Sequence, residues 1–323
     1  MVKEDGLKKI LQVLSLHPSY DNIRIINPLL HIRDQLKSEN IVVSLIPIDK
    51  LNLEIAQQFD VICVHGCLSL AAYSILRKIK FCLWVDDLMV NLPPSNPANP
   101  SPMELDGLRW CYDNAQSVVC TTQWLADHIG RGFVCPNLID LERKINSSEN
   151  VLYSYGNSHA GDLELLRSLT PRRDTYFFGH TLPSKFCHYY RNPKGLVELK
   201  PNNPLVHYVP IQMDYERYGV WMNNLNYGVG LIPLEDNVFN LAKSDLKVLE
   251  YLQHGAISVC SNVGAVGNIP DECVVKVNDN WDEAIEHAFD NRSNIYNNAY
   301  DWAMDNRSYE KQSELWMEAY RGM

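Results

Sequence analysis

Three charged side chains, Lys243, Lys247 and Glu250, follow one another at intervals of four and three residues. On a helix that spacing puts them on one face. Cations at a helix start suit a phosphate, because the first N–H groups of a helix have no partner within it and carry partial positive charge. A carboxylate two turns along could accept hydrogen bonds from ribose hydroxyls. The set therefore suits a nucleoside diphosphate lying along the helix. It also suits an ordinary amphipathic helix whose charges pair with each other, and spacing alone does not separate the two.

The elements that would carry this set are legible in residues 226–264. Residues 229–233 form a short apolar run of the kind that makes a buried parallel strand. Residues 244–253 carry Leu246, Leu249 and Leu252 at helical spacing, with Lys243 at the helix start and Gly255 just past its end. Residues 256–260 read as a second buried strand. The order is strand, loop, helix, strand: one βαβ unit.

Further candidates stand where predicted strands end. Asp86 and Asp87 directly follow the apolar run 81–85, and His65 ends the run 60–65. Carboxylates at the C-terminal ends of strands stand where open α/β sheets bind ligands, although turn capping uses the same residue types. Gly156, Asn157, Ser158, His159, Ala160 and Gly161 form a small polar loop between a strand at 151–155 and a helix that Asp162 is expected to cap. Such a loop can hold phosphate through backbone N–H groups. The most basic stretch, 172–194, contains Arg172, Arg173, Lys185, Arg191 and Lys194. Pro28 is expected to open a helix over 28–36 with Asn27 as its cap.

The 226–264 stretch resembles the donor-binding half of GT-B glycosyltransferases, in particular the family-4-like group 1 enzymes. The matching residues are the strand VGLIPL, then Glu235, Asn240, Lys243, Ser244, Lys247, Glu250, Tyr251 and Gly255, the strand AISVCS, and Asn262, Val263 and Gly264. Two further segments resemble that family. WVDDLMVNLP, at 84–93, is similar to a cleft segment, and residues 134–140 to the "IPNGID" segment, with Leu138 in place of its glycine. The resemblance implies an α/β protein of two Rossmann-like domains facing a cleft. An acceptor-side domain would span 1–143 and a donor domain 144–304, with a C-terminal helix over about 305–323 packing back on the first.

It implies a retaining transfer from a nucleotide-sugar, most often a UDP-sugar, to an acceptor hydroxyl, with no cofactor and no metal. Glu250 would hold the donor ribose and Lys243 the diphosphate. Lys247, Ser244, Gly156, Asn157, Ser158 and His159 would line the nucleotide. Glu235, Asn240, His65, Gly264 and one of Asp86 or Asp87 would meet the sugar or the acceptor. The chain departs from the family at Ala242, where many members carry a second glutamate.

Composition narrows the rest. The chain has 323 residues, 46% of them hydrophobic, enough for two α/β domains. A net charge of −10 disfavours nucleic acid as a partner, although the 172–194 stretch leaves open sugar transfer to hydroxymethylated pyrimidines in DNA. Ala242 leaves open a non-catalytic module that only binds nucleotide-sugars. Nine cysteines without a C-x-x-C pair fit free thiols in a reducing cytoplasm. No apolar stretch reaches the ~18 residues of a membrane span.

Overall fold

The structure, a computed structural model, describes residues 6–15, 21–65, 70–90, 92–94, 96, 100–159, 161–179, 182–191, 197–210, 220–222, 224–277 and 280–323. Of the residues singled out above, Ala160 and Lys194 lie outside the described residues.

The first half is a six-stranded sheet. β1 (Lys8–Leu14) leads through a π-helical turn (Asn22–Ile26) into α1 (Asn27–Ser38). The expected Asn27 cap is corrected here. The chain is already helical from Asn22, Asn27 itself has helical angles (φ −61°, ψ −50°), and its side chain caps nothing. β2 (Ile41–Pro47), α2 (Leu53–Ala56), β3 (Val61–His65), α3 (Leu70–Leu76) and β4 (Phe81–Val85) follow. Then come α4 (Pro102–Asn114), β5 (Val118–Cys120), α5 (Gln123–Ile129) and β6 (Phe133–Val134). Ser101 and Glu104 close a reciprocal capping box on α4, and the Thr122 side chain caps α5. The strand order is β2-β1-β3-β4-β5-β6, all parallel.

A stretch without regular structure, 140–150, leads to a second parallel six-stranded sheet. Its members are β7 (Val151–Ser154), β8 (Thr175–Gly179), β11 (Val206–Pro210), β12 (Val229–Ile232), β13 (Ile257–Ser261) and β14 (Val275–Val277), in the order β11-β8-β7-β12-β13-β14. β9 (Cys187–Arg191) and β10 (Val197–Pro201) pair separately as an antiparallel hairpin. The helices are α6 (Val238–Ala242), α7 (Leu246–Gln253), α8 (Gly264–Gly267), α9 (Trp281–Asp290), α10 (Arg292–Arg307) and α11 (Tyr309–Arg321). The chain is thus α/β, with two Rossmann-like parallel sheets.

Each sheet has one point where the chain reverses its direction of travel: between β1 and β3, and between β7 and β12. At such a point the loops part and leave a crevice beyond the strand ends. Tyr251 of α7 ties the second one together. Its hydroxyl accepts from the Ser154 N–H and donates to the Leu231 carbonyl, both at 3.2 Å. Its ring lies on Gly230, where any Cβ would fall 2.1 Å from a ring carbon.

Apolar packing joins the C-terminus to the first half. Ile295, Tyr296, Ala299 and Ala303 of α10 belong to the core of the second sheet. The chain then turns out of helical geometry at Ser308, and Tyr309, Trp316, Met317 and Tyr320 of α11 are buried on the first sheet, against Ile10, Cys63 and Trp84. Among the described residues, eight cysteines are free and buried. No described helix is long and apolar enough to cross a membrane.

Gly230→Ala should destabilise the fold by about 1–3 kcal/mol, since the methyl group must displace the Tyr251 ring from a close-packed site. Urea unfolding checks it, with a lower midpoint at unchanged m-value expected.

Candidate active site

The first crevice is lined by a buried chain of charges. Arg24, from the turn before α1, is 1% exposed and sits 2.9 Å from Asp86 Oδ1 through its Nε. The other Asp86 oxygen takes the Nε2 of His65 at 2.9 Å, and His65 Nδ1 lies 3.4 Å from Asp21 Oδ1. Asp21 also accepts from the backbone N–H of Ser15 (2.9 Å) and its hydroxyl (3.1 Å). The ends of β1, β3 and β4 are therefore knotted together by ion pairs. For His65, burial drives the imidazole towards neutrality. The charge of Asp86 and hydrogen bonds to Asp21 and Asp86 outweigh this and push it up to about 9. For Asp86, burial works against ionisation, but the charges of His65 and Arg24 hold the carboxyl below its ordinary range. Both ring nitrogens of His65 are thus engaged by carboxylates, which suits a strut better than a contact to sugar or acceptor.

The second crevice is built around Asp162, which is 2% exposed. The expectation that Asp162 caps a helix is corrected. The 3-10 turn Asp162–Ser168 starts at Asp162 itself, after Gly161, without a side-chain cap. The carboxylate instead accepts from the Asn240 side-chain amide (2.7 Å), the Glu235 backbone N–H (2.8 Å) and His159 Nδ1 (2.7 Å). His159 and Asp162, after β7, are thereby fastened to the loop after β12. Gly156 is exposed, and Asn157, Ser158 and His159 form one 3-10 turn beside it. Asn240, 2% exposed, also donates to the Glu235 carbonyl (3.0 Å), and its side-chain oxygen has no hydrogen-bond partner among the described residues. The Glu235 side chain is exposed and accepts from Asn237.

The charged helical face is corrected in one respect. The helix predicted over 244–253 begins at Leu246, and Lys243 terminates the preceding helix α6 with extended angles (φ −66°, ψ 146°). The sequence Asn237-Val238-Phe239-Asn240 accounts for this. The Asn237 side chain accepts from the Asn240 N–H and starts a separate turn of helix. Lys243 consequently points across the gap, where its Nζ lies 3.5 Å from Asp87 Oδ1 and 4.3 Å from the centre of the Phe239 ring. Lys247 and Glu250 do share a face of α7 and are bonded at 2.6 Å. Ser244 accepts from the side-chain amide of Asn137 (2.9 Å). His159 feels both lysines. Burial, then the charge of Lys243, lowers its pKa, with Lys247 adding to the effect and Asp162 opposing it.

The two crevices meet at these contacts. Ala242 is fully buried in the apolar cluster of the first sheet, and its carbonyl accepts from Thr122 at 3.3 Å. A glutamate there would have to bury its charge. Gly264 adopts a positive φ (+59°), and an added Cβ would fall 2.7 Å from the Asn240 carbonyl, so it seats α8 beneath α6 rather than offering a side chain to a ligand. Reading the sequence missed Arg24, Asp21, Asn137 and the true role of Asp162. The one available signal was Arg24 itself, a lone cation in the apolar run Ile23-Arg24-Ile25-Ile26 that folding must bury and pair. Among the described residues no group of three or more His, Cys, Asp or Glu is placed to hold a metal ion.

The fold is similar to that of sucrose-phosphate synthase from Thermosynechococcus elongatus, which is 14% identical to this chain with a TM-score of 0.68 over 97% of this chain and 98% of that one. The chain has the GT-B fold. Anabaena HepE in complex with UDP and glucose is similar too, at 12% identity and TM-score 0.63 over 98% of this chain and 100% of that one. An α-glucosyltransferase bound to UDP and a 13-mer DNA containing an HMU base matches at 12% identity and TM-score 0.59, with the same coverage. At such identities the likeness is one of fold. No protein-family model and no curated protein sequence matches the chain.

His65 generates a pH prediction. Its folded pKa lies above the unfolded value of about 6.5, so the folded state binds more protons between the two. The stabilisation is complete below pH ~6.5 and is lost as pH rises through about 9. Urea unfolding at pH 6, 7.5 and 9 should show wild-type stability falling by on the order of 2–3 kcal/mol across this range, and His65→Gln should flatten the slope.

Proposed function

We propose that the chain is a glycosyltransferase that moves a sugar from a nucleoside diphosphate, UDP in the first instance, to an acceptor hydroxyl with retention at the anomeric carbon. The observation that carries the proposal is the fastening of His159 and Asn240 to Asp162 at the crevice between β7 and β12, with Lys243 at the end of α6 and the Lys247–Glu250 pair on α7, which follows at once. Cations at such a crevice suit a diphosphate, and a carboxylate on the following helix suits a ribose diol. The UDP seen with HepE and with the DNA-bound α-glucosyltransferase supports the choice of nucleotide.

In this reaction the bond from the anomeric carbon to the diphosphate oxygen breaks and its electron pair leaves with UDP. The acceptor oxygen bonds to the same carbon from the face being vacated and yields its proton to the leaving phosphate. No protein nucleophile is needed, which agrees with Asp86 having both oxygens committed to Arg24 and His65. Catalysis then consists of positioning and of neutralising the departing charge. Lys243 is assigned the second task and Asp87, opposite it, contact with the sugar or acceptor. The unpartnered oxygen of Asn240 suits a sugar hydroxyl. DNA as acceptor draws less support. Arg173 is spent on Glu149 and Glu286, and Lys185 on the Leu169 carbonyl, so these cations do not form an open groove.

Glu250→Ala should weaken UDP binding by roughly tenfold or more, the loss expected when a charged hydrogen-bond acceptor is removed. Lys243→Ala should lower the turnover of UDP-glucose more than it lowers UDP affinity, as a group acting on the leaving charge must. Calorimetry and UDP release measure the two, and equal losses in Lys243→Ala would reject its leaving-group role.

A further inference from the structure

Arg24 is buried for a reason that the cleft alone does not explain. Its guanidinium packs against the indoles of Trp84 (5.1 Å) and Trp316 (4.9 Å), which stack on each other at 5.1 Å. Trp84 comes from β4, whereas Trp316 comes from α11, at the far end of the sequence. Neither Nη atom of Arg24 has a hydrogen-bond partner among the described residues. Its Nε meets Asp86 as an ion pair and not as a hydrogen bond, so a stacked indole pair and one carboxylate hold the cation. A buried guanidinium is costly, and apolar side chains of the same volume would pack there at no such cost. What the arrangement secures is position, because a guanidinium seated on the indole pair is kept 2.9 Å from the Asp86 carboxylate. The backbone of that turn is independently anchored. The Thr121 hydroxyl donates to the Asp86 carbonyl at 3.2 Å, and the Thr121 N–H to the Val85 carbonyl at 3.1 Å. Loss of Arg24 would thus release one oxygen of Asp86, leaving the other on His65, without unfolding β4.

We propose that Arg24, packed against Trp84 and Trp316, is a positioning residue that fixes the Asp86 carboxylate beside Asp87, which meets Lys243, so that the C-terminal helix is a working part of the sugar-transfer site. The proposal rests on the reading of the Lys243 side as the donor site. The groups that face Asp86 are Arg24, His65 from β3 with Asp21 behind it, the Cys120 and Cys135 thiols, and Asp87 with Lys243 across the gap.

The test uses the full chain with UDP-glucose as donor and water as acceptor, reading kcat for hydrolysis, calorimetric affinity for UDP, and the pH dependence of kcat. Arg24→Gln and Trp316→Leu should each lower kcat roughly tenfold or more while UDP affinity stays within about twofold, as expected when a reacting geometry loosens. Arg24→Lys and Trp316→Phe, which keep the charge or the ring, should recover part of the rate. In Arg24→Gln the acid limb of kcat should move to higher pH, because Asp86 loses a cation that favours its ionised form. Should Arg24→Gln fail to fold, the Trp316 pair decides: a leucine variant slower than the phenylalanine variant supports the proposal, and equal rates overturn it. Affinity falling in step with kcat also overturns it, since that is general loosening. A wild-type protein that neither binds UDP nor cleaves UDP-glucose overturns the donor reading instead. The positioning claim is then decided by the NMR signals of the His65 ring, which must shift in Trp316→Leu if Trp316 acts through Arg24 and Asp86, and which contradict the claim if they stay in place.

Discussion

The buried carboxylate of Asp162 is the interaction on which the second crevice depends. A carboxylate withdrawn from water costs several kcal/mol unless its oxygens are satisfied. Here three donors from two loops satisfy it: Asn240, the Glu235 backbone and His159. That requirement fixes the loop after β7 against the loop after β12, at the place where strand order alone would leave them apart. The recess beside Lys243 and Lys247 takes its shape from this constraint. It also explains the orphaned oxygen of Asn240, whose amide nitrogen is consumed on Asp162 and on the Glu235 carbonyl.

A second constraint sets this recess opposite the first sheet. Three contacts lie within a few residues of one another: Thr122 to the Ala242 carbonyl, Asn137 to Ser244, and Lys243 to Asp87. Just beyond them Arg307 clips Asp245, the residue that precedes α7, at 2.7 Å, and Ser308 turns the chain towards the first sheet. The segment leading into α7 is therefore held from both halves of the molecule. Ala242 is central to this. Its small side chain lets α6 sit down on the apolar cluster beside α5, where the glutamate common in the resembling family would bring an unpaired charge. The departure at that position reads as a packing choice.

Much of the architecture was legible in the sequence. Buried parallel strands announce themselves as short apolar runs, and β3, β4, β12 and β13 stand where those runs fall. Gly255 ends α7 with φ +77°, as a glycine at that place does. Asp86 and Asp87 were legible as strand-end carboxylates, but their partners were not, because Arg24 and His65 reach Asp86, and Lys243 reaches Asp87, only in the folded chain. Lys243 was misplaced because its helical spacing with Lys247 concealed a break that the Asn237 cap imposes. Asp162 looked like a helix cap because aspartate at a strand-to-helix turn often is one. Two of its three donors, Glu235 and Asn240, lie more than seventy residues further along the chain. Local chemistry thus gave the elements, while the pairing of buried charges came from topology.

The central claim is that the diphosphate of a nucleotide lies against Lys243 while Glu250 takes its ribose. An experimental structure determined with UDP tests this most directly. The account predicts phosphate oxygens within hydrogen-bond distance of Lys243 Nζ and the residues 156–159, with both ribose hydroxyls on Glu250 and the Lys247–Glu250 bond rearranged to admit them. UDP bound away from both residues, or contacting Glu250 with its phosphates directed away from Lys243, would contradict it.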